Sequence, residues 1–262
     1  MSGPGAPRDP QGRFRRWLTA PASDLMACLD QTVARTTRPM TNLLLLLASV
    51  VASWWIYVPV HELLHAAGCA ASGGEVRSLT ISASYGGGIL SRWLPWVHAG
   101  GEYAGRLTDF STGRSDLRYL ATDAAPYLLT VLLGVPLLRL ASRRGSPLMA
   151  GAALVLALAP FLSVTGDYYE MGSILVTRAA SPFDSPPEPS ETPGGVMGLR
   201  SDDLPALLGR LLGGGLPPVA DPPGGATGAI GVIAMAFLTG LGLAEITYST
   251  GSLVARRLFR DS

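Results

Sequence analysis

Four stretches of the chain, residues 42–68, 119–138, 147–169 and 227–248, are apolar over about the 20 residues a helix needs to cross a bilayer core. Nothing else in the sequence limits the fold as strongly. In lipid each backbone amide and carbonyl must find its hydrogen bond inside the protein, and an α-helix provides that locally. Composition agrees: 48% of the residues are hydrophobic and 15% charged, where soluble domains carry about a quarter charged residues. The expected fold is an all-α, multi-pass membrane protein with about four transmembrane helices. Pro160 and Gly166 are expected to bend or interrupt the third of them. Acids sit inside these spans: Asp123 in the second, Asp167 and Glu170 near the end of the third, Glu245 in the fourth.

The connecting segments divide the chain further. Residues 1–41 read as a mobile Gly-, Pro- and Arg-rich arm leading into an interfacial amphipathic helix, "SDLMACLDQTVARTT". Ser23 is its expected cap, with Leu25, Cys28, Leu29 and Val33 on one face. Residues 42–178 form the expected membrane-embedded core. Within it, "GEVRSLTISA" alternates Leu79, Ile81 and Ala83 with polar neighbours, "YGGG" can turn, and "ILSRW" can return. This pattern predicts a membrane-associated β-hairpin over 75–93. Residues 179–226 are a Pro- and Gly-rich linker with a short helix near 204–212, and residues 227–262 are the last span and its basic tail "ARRLFRDS".

Charge and cysteine narrow the function. A formal net charge of +1 argues against a nucleic-acid partner, which selects a basic face. Cys28 and Cys69 lack CxxC spacing and read as small apolar residues. All 20 basic residues are arginine, as a GC-rich genome produces, so the cell membrane of a GC-rich prokaryote is the expected setting.

The informative motif is "VPVHELLHAAGC", residues 58–69, at the end of the first apolar run. In HExxH, His61 and His65 project from one face of a helix and can grip a single zinc ion, while Glu62 is placed to take a proton from water. An acid at this depth costs several kcal/mol, on a scale of about 3 kcal/mol for a central Asp, so it asks for a function. A third protein ligand is required. His98, in the Gly-flanked "WVHAGGEY", reads as a surface residue. Asp167 in "SVTGDYYEMGSIL" is the better candidate, with Glu170 as the alternative, and Asp123 is expected to have a structural hydrogen-bonding role.

Taken in order, these features resemble the site-2 protease family of zinc intramembrane metalloproteases. "HELLHAAGCAASGGEVRSLTIS" is similar to the family's motif helix running into a membrane-associated strand. "DAAPYLLTVLLG" is similar to the start of its next core helix, and "GDYYEMGSIL" to the helix carrying an aspartate ligand. The resemblance covers about residues 42–178 and is sharpest at HExxH. It implies zinc held by His61, His65 and Asp167, with Glu62 as general base. Two positions depart from the family. Tyr168 stands where a Gly usually follows the ligand Asp. An Asn that usually precedes that Asp, to steady the reacting carbonyl, has no counterpart, Ser163 and Thr165 being the nearest polar residues.

The implied activity is zinc-dependent endoproteolysis in or near transmembrane segments, with single-span membrane proteins as substrates in the lipid bilayer. The alternatives are a non-proteolytic zinc-binding relative and another HExxH membrane protease using Glu170. Arginines at the two ends of the spans divide 12 to 8. That excess favours a cytoplasmic N-terminus, while the family resemblance implies the opposite orientation.

Overall fold

The four apolar runs lie in the helical segments Pro39–Ala71, Asp116–Arg144, Pro147–Ala180 and Thr227–Leu258, each long and apolar enough to cross a membrane. The computed structural model describes residues 10–101, 103–182, 199–200, 204–211 and 225–260. Each segment outruns its apolar stretch because a helix continues until a cap stops it. Ser115 and Ser146 accept hydrogen bonds from the Arg118 and Met149 amides at two starts, and left-handed Gly145 (φ 60°) closes the helix that ends at Arg144.

The first described helix, α1 (Pro10–Leu29), begins well before the expected amphipathic stretch. Ser23 lies inside it and donates to the Ala20 carbonyl, so it is not a cap. A π-helical turn, Asp30–Ala34, follows. The apolar face is present, but it packs on protein: Cys28 is fully buried against Val135, Leu138 and Tyr248. Asp24 fastens the same helix, accepting from Arg139 Nη2 at 3.1 Å and from Tyr248 Oη at 2.9 Å. The part of the arm expected to be mobile over residues 1–9 lies outside the described residues.

Helix α2 (Pro39–Ala71) carries the motif and leads into a small sheet. Strands β1 (Glu75–Ile81), β2 (Val97–Ala99) and β3 (Gly105–Ser111) are ordered β2-β1-β3, with β1 parallel to β2 and antiparallel to β3. The alternation read in β1 is real: Leu79 and Ile81 are fully buried, in a cluster that includes Leu63 of α2. The returning strand was expected in the wrong place. Residues 87–90 form a helical turn, α3 (Gly87–Leu90), entered through left-handed Gly86 (φ 84°). Gly87 sits against the Ile81 carbonyl, where a Cβ would collide, so the chain coils at the end of β1 and its antiparallel partner is β3. Trp55 Nε1 donates to the Ser84 carbonyl at 2.6 Å, and Trp54 Nε1 to Tyr85 Oη at 3.3 Å. These tryptophans stand about 25 Å back along α2 from Ala71, at 1.5 Å per residue. Strand β1 therefore folds back beside α2.

The second span is interrupted: α4 (Asp116–Ala124), a 3₁₀ turn at Ala125–Tyr127, a π turn at Thr130–Gly134, then α5 (Val135–Arg144). Pro126 and Pro136 each remove a backbone donor from the ladder. The third breaks completely, into α6 (Pro147–Leu162) and α7 (Asp167–Ala180). Pro160 is accommodated within α6, and the break falls over residues 163–166. Helix resumes to Ala180, so Asp167 opens a new helix in mid-segment and does not sit near the span's end. After α8 (Leu204–Leu211), the long helix α9 (Gly225–Leu258) packs along α7. Their crossing is close: a Cβ on Gly172 would collide with the Ala236 carbonyl, and one on Gly240 with that of Tyr168. Small residues let helix backbones approach in this way inside membranes.

Candidate metal centre

His61 and His65 stand one helical turn apart on α2, their Nε2 atoms 3.0 Å from each other. His65 Nδ1 donates to the Thr122 carbonyl at 2.9 Å. A carbonyl can only accept, so this contact puts the proton on Nδ1 and leaves a lone pair on Nε2. His61 Nδ1 lies 2.7 Å from the Tyr57 hydroxyl, one turn earlier on the same helix.

The third group comes from the broken span. Asp167 Oδ2 is 3.1 Å from His61 Nε2 and 3.5 Å from His65 Nε2. As the first residue of α7 it sits at the positive end of that helix, which favours a carboxylate. Its amide donates to Ser163 Oγ at 3.2 Å, and Tyr127 Oη donates to its Oδ2 at 2.5 Å. Tyr127 comes from the 3₁₀ turn that Pro126 helps to form. The break in one span and the distortion in another thus both serve this aspartate.

The three donor atoms lie within 4.8 Å of one another and could hold a metal ion. No family model, curated protein or solved structure matches the chain. The site stands on its own geometry. The other candidates fall outside the donor triangle. Glu170 lies a turn further along α7. His98 is exposed in β2, paired in register with Thr80. Asp123 is buried in α4.

Glu62 is not part of the donor triangle. It lines, with His61, Tyr57, Trp54 and Ser163, a cavity of about 280 Å³. At roughly 30 Å³ per molecule this holds several waters or a short stretch of peptide. One wall is the start of β3, where a Cβ on Gly105 would strike the Glu62 side chain. Sequence reasoning singled out neither Tyr57 nor Tyr127. Tyr57 was legible in principle, four residues before His61 and so on its face of α2. Nothing local links Tyr127 to Asp167 across 40 positions.

Proposed function

We propose that this chain is a zinc-dependent intramembrane endopeptidase, hydrolysing peptide bonds in or near the transmembrane segments of single-span membrane proteins. The observation that carries the reading is that Glu62 and His61 open on one cavity beside the donor triangle. The donor set suits zinc: two imidazole nitrogens and one carboxylate oxygen, the usual composition of a catalytic site that keeps a position for water. Its edges of 3.0, 3.1 and 3.5 Å match the roughly 3.3 Å between ligand atoms of a tetrahedron with bonds of about 2.0–2.1 Å. The Tyr57 and Thr122 contacts at the far ring nitrogens supply the outer support such histidines need.

When bound, zinc would lower the pKa of a coordinated water to about 7 and polarise the scissile carbonyl. The remaining work falls to the chain. Glu62 takes the water proton and returns it to the leaving amine. His61, His65 and Asp167 hold the centre, the two rings backed by Tyr57 and Thr122 and Asp167 held through a Tyr127 bond to its donor oxygen. A substrate helix must unwind before its carbonyls are reachable. Among the described residues β3 has one strand neighbour, β1, so its outer edge, beginning at Gly105 beside Glu62, can pair with an opened segment. The contacts of Trp54 and Trp55 with residues 84 and 85 support a sheet that dips into the bilayer beside α2.

The deciding comparison is wild type against Glu62→Gln, using a membrane-span peptide with helix-breaking Gly or Pro, in detergent and in lipid. The variant should keep its zinc and lose about a hundred- to ten-thousand-fold in rate. Equal cleavage by both proteins would remove Glu62 from the mechanism. Absence of cleavage by either would replace proteolysis with a non-proteolytic metal-binding role.

A further inference from the structure

The proton inventory around the triangle leaves one hydroxyl unassigned. Three tyrosines surround the site. Tyr127 donates to Asp167 Oδ2, and Tyr168 donates to Thr247 Oγ1 at 2.8 Å. Tyr57 has, among the described residues, one hydrogen-bond partner: His61 Nδ1 at 2.7 Å. Which of the two atoms donates depends on the tautomer of His61. A ligand at Nε2 needs the lone pair there, so the ring proton must be on Nδ1. Tyr57 Oη is then the acceptor, and its own O–H is left without a protein partner. That O–H belongs to a side chain only 7% exposed and is free to donate to whatever occupies the cavity beside it, water or ligand. Tyr57 lines the 280 Å³ cavity together with Glu62 and the Ala104–Gly105 backbone.

Resting on the peptidase reading above, we infer that the Tyr57 hydroxyl is a substrate-binding donor, hydrogen-bonded to a backbone carbonyl flanking the scissile bond in the unwound peptide. It cannot be the donor to the reacting oxygen itself. The His61 ring stands between it and the Nε2 side, and a 2.7 Å bond at one ring nitrogen directs Oη away from the other. In an extended chain successive carbonyls point to opposite sides, so a carbonyl next to the reacting one can face away from Nε2, toward the cavity that Tyr57 lines. The donor would thereby select extended peptide. A closed helix keeps its carbonyls in its own hydrogen bonds and offers none to Tyr57.

The test measures binding, so that cleavage cannot mask it. Full-length Glu62→Gln protein, saturated with zinc, is titrated with a fluorescently labelled Gly- and Pro-containing span peptide in detergent, with and without Tyr57→Phe. The added substitution should weaken peptide binding about three- to tenfold, the value of one hydrogen bond. It should leave unchanged the binding of a peptide whose flanking amides are reduced to methylene-amines, which have no carbonyl to offer. Zinc affinity, measured separately, should also fall, because His61 loses its outer support. Loss of zinc affinity with unaltered peptide binding at saturation would overturn the inference and leave Tyr57 a positioning residue, with the peptidase reading intact. Peptide that binds neither protein, together with a wild type that does not cleave, would remove both readings.

Discussion

Asp167 is the residue on which the site turns, since it adds the third donor atom to the histidine pair from a second helix. Its carboxylate gains from the α7 N-terminus and from the Tyr127 hydroxyl, and its Oδ2 faces the Nε2 atoms of both imidazoles. Glu170, the rival acid, shares the helix but not the triangle. Asp167→Ala should therefore abolish stoichiometric metal in purified protein, a loss exceeding the ten- to hundredfold that removal of an outer partner typically costs. Glu170→Ala should retain it, and elemental analysis of the two variants separates them; metal kept by the first and lost by the second would transfer the ligand role. At this scale the sequence is informative where spacing is local. The i, i+4 histidines and the adjacent Glu62 can be read from a helix period alone. Tyr127 cannot, because its place depends on how a distant turn packs.

Among the elements, the broken third span and the α7–α9 crossing do the positioning. Gly172 and Gly240 allow backbone approach between those helices, where any Cβ would meet a carbonyl. Gly172→Val should force α7 outward and so withdraw Asp167 without touching a donor atom. The expected cost is about 1–3 kcal/mol of stability, as for other overpacked interiors, with reduced metal content alongside. Gly242 has open space at its Cβ position, and Gly242→Val should change neither. Thermal unfolding in detergent and metal analysis on both variants provide the check. Helix existence was legible here from apolar length, and the interruption from Pro160 and Gly166, though the break came three residues after the proline. The sheet was half legible. β1 declared itself by alternation, but its partner was set by long-range pairing between Ile81 and Gly105. "ILSRW" is too short a pattern to distinguish strand from helical turn.

For the molecule as a whole, four helical segments are long and apolar enough to cross a membrane, and four crossings would return the chain to its starting side. The structure adds a physical tie at that side: Asp24 near the N-terminus bonds Tyr248 of α9, and Arg139 bonds both Asp24 and Ser252. Topology reporters fused before α1 and after α9 should consequently agree with each other, in whichever compartment they report. Opposite readings would mean that the broken third span does not cross. Deeper in the bundle, the donor triangle joins residues 106 positions apart, one from α2 and one from α7. An ion there would act as a rivet as well as a reagent. Each tenfold excess of free metal over its dissociation constant adds about 1.4 kcal/mol to the folded state. A cell starved of the metal would then hold fewer assembled copies of this protein, and not merely idle ones.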